Sequence, residues 1–244
     1  VREVAGLEDT AVRYRLLSLQ RTAAERARLE SFLSDAELRR GSRLLDTVKR
    51  DEFMVGHGLV REVLAELLCV EPRTVEFCEG EFGKPYLRGQ EELQDGLRFN
   101  VSHSGGKLLL AVTRGCEIGV DLEEIREDLA FRPMAERYFS LRENEELFGL
   151  DPAEQLEAFY RCWTRKEAYM KGTGSGFSHP STGFDVSLLP GAPPALLGHR
   201  GDPREVERWS IVELDAGPGY CAALAFFSSP PPGGGRLGGG HSQR

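Results

Sequence analysis

The order of segments restricts this chain more than any single residue does. From Val12 the sequence reads as a strand (Val12 to Leu19), a charged helical segment, a short helix, a long helix and three strands, and from Glu117 a similar order begins again. Ser34, with Glu37 three residues on, is a capping box that opens the short helix toward Arg43. Asp46 to Leu68 then repeats apolar residues at helical spacing, with Phe53, Leu59, Val60, Val63, Leu64 and Leu67 inward and Pro72 beyond its end. Thr74 to Cys78, Phe99 to Val101 and Leu108 to Thr113 read as strands, with a turn at Phe82 to Tyr86 and a polar loop at Gln90 to Gly96. The second pass runs from a strand at Glu117 to Leu122, through helical pieces between Phe131 and Leu150, to a long helix from about Ala153 to Lys171. Three strands close it: Phe184 to Leu189, Val206 to Leu214 and Tyr220 to Phe227. The expectation is an α+β fold of two pseudo-symmetric halves, each with helices packed on a three-stranded, largely antiparallel sheet. The halves fall at residues 1–115 and 116–228, and the Pro/Gly-rich segment 229–244 is expected to be a disordered tail.

A chain of 244 residues with 40% hydrophobic content can bury a sizeable core. No apolar run is long enough to span a bilayer, no stretch resembles a signal peptide, and the five cysteines form no C-x-x-C pair. A cytoplasmic protein with reduced thiols and no membrane partner is the expectation. The net charge of −8 counts against a general nucleic-acid binder. Of the 31 basic residues 26 are arginine, so the five lysines (Lys49, Lys84, Lys107, Lys166 and Lys171) stand out. A compact ammonium in such a chain hints at a partner such as phosphate.

Chemistry-bearing residues recur in a few places. In Trp163 to Phe177, WTRKEAYMKGTGSGF, Glu167 lies on or beside an apolar stripe that includes Leu156, Phe159, Tyr160, Trp163 and Met170. Lys171 follows one turn later on the same side, and glycines then end the helix. On that stretch alone the commoner reading is a solvated Glu–Lys pair. In Ile118 to Glu123 the alternation puts Ile118, Val120 and Leu122 on one face and Gly119, Asp121 and Glu123 on the other. The two carboxylates start roughly 7 Å apart at their backbones. With Glu167 they make an oxygen-donor trio that favours Mg²⁺ or Mn²⁺ over zinc, and hence a phosphate-bearing substrate; an acidic solvent face is the plainer alternative. Phe99 to Gly106, FNVSHSGG, reads either as an anion-binding turn or as an ordinary Gly-Gly hairpin, and it supports no Ser-His-Asp triad. Gly83 and Lys84 sit in a turn fixed by Pro85, as a phosphate contact or a solvated lysine. Arg40, Arg43, Lys49, Arg50 and Arg61 form a basic set that reads mostly as a solvated face, with one or two members in a cleft as the alternative. Gly172-x-Gly-x-Gly follows a helix and opens none, so it is no dinucleotide fingerprint.

In this order the motifs FGKP (82–85), FNVSHSGG (99–106), IGVDLEEI (118–125) and WTRKEAYMKGTGSGF (163–177) resemble those of the Sfp-type 4′-phosphopantetheinyl transferases. The resemblance spans about residues 35 to 180. It implies two similar halves with a coenzyme A cleft between them, and transfer of the phosphopantetheine arm of coenzyme A to a serine of an apo acyl or peptidyl carrier protein. It further implies Mg²⁺ (Mn²⁺ possible) held by Asp121, Glu123 and Glu167, with Glu167 as base toward the serine and Lys171 beside the departing 3′,5′-ADP. Arg40, Lys49, Arg50, Gly83, Lys84, Ser102, His103, Lys166 and Lys171 match coenzyme A contacts. Residues Leu129 to Leu150 are the candidate carrier surface, and a cytoplasmic monomer serving fatty-acid, polyketide or nonribosomal peptide synthesis follows from the same resemblance. A metal-dependent nuclease is the runner-up, disfavoured by net charge; an inactive homologue that only binds coenzyme A or a carrier is the alternative from another class.

Overall fold

A computed structural model describes residues 2–3, 12–80, 82–90, 93, 95–174 and 180–228. The glycine run beyond Gly174, part of the loop at 90–96 and the tail at 229–244 lie outside the described residues. The first half comprises β1 (Arg2–Glu3), β2 (Arg13–Ser18), α1 (Ala23–Glu30), α2 (Asp35–Ser42), α3 (Thr47–Leu68), β3 (Phe77–Glu79), β4 (Pro85–Leu87), β5 (Leu97–Ser104) and β6 (Lys107–Arg114). The second comprises β7 (Ile118–Glu124), α4 (Phe131–Tyr138), α5 (Leu141–Phe148), α6 (Pro152–Thr173), β8 (Phe184–Val186), β9 (Leu196–His199), α7 (Glu205–Arg208), β10 (Trp209–Glu213) and β11 (Tyr220–Phe227).

Local chemistry sets the helix ends. The Thr22–Glu25 and Ser34–Glu37 capping boxes open α1 and α2, Asp46 accepts from two amides to open α3, and a third box, Ser140–Glu143, opens α5. α3 ends at Leu68, four residues before Pro72, and its C-cap Cys69 takes the left-handed conformation at φ 56°.

The α+β class is as expected, and the two halves share a topology more closely than segment order suggested. In each, the leading strand pairs with the last strand, which pairs with the penultimate one: β2-β6-β5, extended by β1, and β7-β11-β10, all antiparallel. The strands expected at 74–78 and 184–189 do not join these sheets. They form two-stranded hairpins with β4 and β9, neither of which was expected as a strand; β4 begins inside the turn read at Phe82 to Tyr86. The molecule stacks as helices, sheet, sheet, helices. Leu29 of α1 and Val55, Leu59, Val63 and Leu64 of α3 cover one face of the first sheet. The opposite face, with Tyr14, Leu109 and Ala111, packs on Ile118, Val120, Leu122 and Leu224 of the second sheet. Beyond lies the core of α4 to α6, built around Phe159, Tyr160 and Met170. A shared central core therefore joins the halves.

α6 reaches the second sheet through glycines. A methyl added at Gly119 of β7 would collide with the Ala168 carbonyl and the Gly172 amide of α6, and one at Gly172 would lie 2.6 Å from the Trp209 ring. Only hydrogen at both positions lets the helix backbone lie against the strand.

Candidate active site

β7 bounds the second sheet, and β5 bounds the first. The two edges are tied by side chains in step along both strands. Val120 N donates to Asn100 Oδ1 (2.9 Å), Ser102 Oγ donates to Asp121 Oδ1 (3.0 Å), and Ser104 Oγ donates to Glu123 Oε2 (3.3 Å) while accepting from Glu124 N (3.0 Å). The side chains involved, Asn100, Ser102 and Ser104 on β5 and Asp121 and Glu123 on β7, repeat with period two.

α6 crosses the face of β7 that carries Gly119, so Asp121 and Glu123 on that face look toward the helix. Lys171 Nζ donates to Asp121 Oδ1 at 2.6 Å and to Ser102 Oγ at 3.1 Å. Glu167, one turn earlier, is half-buried. Its carboxyl is pushed up by burial and by Asp121, a rise Lys171 opposes and Glu123 reinforces. Burial and Asp121 likewise raise Glu123, against hydrogen bonds from Ser104 and the Trp163 indole and the charge of Lys171. Asp121 is 3% exposed, and its Oδ2 is buried with no hydrogen-bond partner. Among the described residues no three His, Cys, Asp or Glu side chains are gathered into a metal-ligating group. Asp121 is engaged by the Lys171 ammonium. The donor chemistry nevertheless suits a hard divalent cation. Burial and the Asp121 charge push up both Glu123 and Glu167, one buried Asp121 oxygen lacks a donor, and carboxylate oxygens are the ligands Mg²⁺ takes. Beside Glu123 opens a cavity of about 380 Å³, walled by Leu129, Met134, Phe159, Tyr160 and Trp163.

The remaining sequence-derived residues divide. His103 is exposed on β5, and Gly83 sits exposed in its turn at φ 81°. Ser102 is buried beside Asp121 and Lys171. Arg40 on α2 is exposed with its guanidinium 5.7 Å from the Phe53 ring, Lys49 is exposed, and Arg50 is half-buried in the first turn of α3. Two expectations need correcting. Lys166 is not positioned as a coenzyme A contact: it is 2% exposed and donates to both Glu143 oxygens (2.8 and 2.7 Å) and to the Phe184 carbonyl (2.8 Å). Those three acceptors satisfy the whole ammonium. Lys84 is no solvated turn lysine but 8% exposed and paired with Glu117. FNVSHSGG folds as a hairpin of Gly105 and Gly106 at φ 55° and 73°, with Ser102 and His103 inside the strand and the Tyr220 hydroxyl on the Gly105 carbonyl. Arg61 is also withdrawn from any cleft, being 3% exposed and bonded to Glu37 and to the Pro72 and Val75 carbonyls. Sequence reasoning missed Asn100, Ser104 and the Trp163 indole; the alternation N-x-S-x-S on β5 beside G-x-D-x-E on β7 was the available signal.

Comparison with known proteins bears on this geometry. A family model described as the 4′-phosphopantetheinyl transferase superfamily matches residues 117–225, and one described as 4′-phosphopantetheinyl transferase, N-terminal, matches residues 18–114. The 4′-phosphopantetheinyl transferase HetI of a Nostoc species is 36% identical over 197 residues, covering 81% of this chain and 79% of the relative. The 4′-phosphopantetheinyl transferase Sfp of Bacillus subtilis is 31% identical over 67% of this chain and 70% of its own length. The 4′-phosphopantetheinyl transferase AcpT of Escherichia coli is 36% identical over 52% of this chain and 59% of its own length.

Proposed function

The chain belongs to the 4′-phosphopantetheinyl transferase superfamily, and on that premise we propose that it is a Sfp-type enzyme that moves the 4′-phosphopantetheine arm of coenzyme A onto a serine of an apo acyl or peptidyl carrier protein, with Mg²⁺, releasing 3′,5′-ADP. The observation that carries the reading is the Asp121, Glu123 and Glu167 trio at the junction of the two halves, with Lys171 bonded to Asp121. The two carboxylates of β7 and the one of α6 would hold the Mg²⁺. When bound, the ion withdraws charge from the diphosphate and stabilises the leaving group.

The chain's own residues supply the rest. The serine oxygen attacks the phosphorus that bears the pantetheine arm, and the bridging P–O bond breaks with its electron pair leaving on 3′,5′-ADP. Glu167 takes the serine proton; burial raises its proton affinity above that of an ordinary glutamate. Lys171 faces the charge that develops on the departing nucleotide. Ser102 holds the Asp121–Lys171 pair in place. On this reading His103, Gly83, Arg40, Lys49 and Arg50 meet the nucleotide and its phosphates. The cavity beside Glu123 and the segment around Leu141, 84% exposed, face the carrier. Positioning and electrostatics provide most of the rate, as in other phosphoryl transfers.

Intact-mass analysis of several apo acyl and peptidyl carrier proteins after incubation with the enzyme, coenzyme A and Mg²⁺ tests this directly. A gain of one phosphopantetheine is expected, lost on chelation and restored by Mg²⁺. No gain on any carrier excludes the transfer, and full activity after exhaustive chelation excludes the metal.

A further inference from the structure

Lys84 lies outside the group of side chains drawn to Asp121, yet it reaches the same helix from the other side. Its ammonium pairs with Glu117 Oε2 at 2.5 Å and donates to the Gly172 carbonyl at 2.7 Å. Glu117, immediately before β7, also accepts from Arg98 Nε (3.3 Å) and from the Tyr86 hydroxyl (3.4 Å). Its carboxylate is thus bound by donors from β4, β5 and the turn before β4. Gly172 belongs to the last turn of α6, whose carbonyls have no partner within the helix and where a cation complements the negative helix end. Gly174 follows in the left-handed conformation at φ 65°, beside the aliphatic stem of Lys84. Gly172 is at the same time the residue packed on Gly119, and Lys171 directly precedes it.

We propose that Lys84 and Glu117 act as one clamp that seats the last turn of α6 on β7 and thereby aims Lys171 at the substrate diphosphate. Lys84 is then a positioning residue and not a nucleotide contact, a statement that rests on the phosphopantetheinyl transfer reading above. A phosphate contact through Lys84 would require its buried ammonium to leave the half-buried Glu117 carboxylate and the Gly172 carbonyl, giving up a salt bridge and uncapping the helix end. The clamp makes no such demand and puts a turn from the first half in control of a helix end in the second. Small displacements of a positioned group cost large factors in rate.

The test compares Lys84→Met, Glu117→Gln and the double variant in steady-state loading of an apo carrier with varied coenzyme A. Each single variant is expected to lower kcat by about tenfold with KM for coenzyme A changed by less than about twofold. The double variant is expected to lose no more than the worse single one, since both remove the same clamp. Amide hydrogen exchange across residues 168–174 is expected to accelerate in all three while exchange in α3 is unchanged, which separates loss of the clamp from global unfolding. A rise in KM for coenzyme A with kcat retained in Lys84→Met overturns the proposal, as does an unchanged kcat or unchanged exchange at 168–174. If the unaltered protein loads no carrier, the transfer reading fails instead, and the exchange measurement still decides the clamp.

Discussion

Glu167 and Lys166 are neighbours in sequence with opposite surroundings. One residue along a helix turns the side chain by about 100°, which takes Lys166 into a sealed ion pair with Glu143 and leaves Glu167 beside Asp121 and Glu123. Spacing identified Lys171 as sharing a side with Glu167. It did not say which way Lys166 points, because that depends on what α5 and β8 place there. For Glu167, replacement by Gln keeps size and hydrogen bonding but removes the proton acceptor. The expected outcome is a fall in carrier loading of about a thousandfold or more with an unchanged circular dichroism spectrum. Turnover near the normal rate would remove Glu167 from the chemistry.

At the scale of elements, the contact of α6 with β7 decides whether the carboxylates meet at all. The Gly119→Ala variant forces a methyl against the Ala168 carbonyl and the Gly172 amide. A loss of stability of about 1–3 kcal/mol in urea unfolding is expected, and loading should fall as well, because α6 carries both Glu167 and Lys171. The other face of α6 is anchored by Glu143, whose Oε1 also accepts from Val186 N (2.8 Å) and whose Oε2 accepts from Ser140 N (2.7 Å). The Glu143→Gln variant strands the buried Lys166 ammonium, and unfolding experiments should show a loss of about 3–5 kcal/mol. That cost is expected to shrink in Glu143→Gln/Lys166→Met, where no buried charge is left alone. The Ser34–Glu37 capping box and the long helices were legible because they depend on neighbours within one turn. The hairpins of β3 and β8 were not, since strand segments look alike whether they join a large sheet or pair locally.

Across the whole molecule, the central core between the sheets makes the halves one unit, and the first half carries its own titratable tie. Glu37 accepts from Arg61 Nε at 2.8 Å and lies 3.0 Å from His57 Nδ1. Burial raises its carboxyl, but hydrogen bonds with His57 and Ser34 and the charge of Arg61 outweigh that and bring it from 4.5 down to about 2. A depressed carboxylate contributes its full stabilisation above the unfolded value and loses it as pH falls through the folded one. Stability should therefore drop between about pH 4.5 and pH 2 by a contribution on the order of 3 kcal/mol. Denaturant melts of the unaltered protein and Glu37→Gln across that range check it: the gap between them should close toward pH 2, and a constant gap would refute the assignment.

The long helices, the Ser34–Glu37 cap, the face assignment of Ile118 to Glu123 and the shared side of Glu167 and Lys171 were determined by the sequence itself, since each follows from backbone periodicity or from contacts within a few residues. The sharing of Asp121 by Ser102 and Lys171, the sealing of Lys166, and the capture of Lys84 by Glu117 were decided only in the tertiary structure. Each joins residues between 19 and 50 positions apart, and a charged side chain at a given spacing is drawn into solvent, a partner or a substrate according to which neighbour the fold brings within 3 Å.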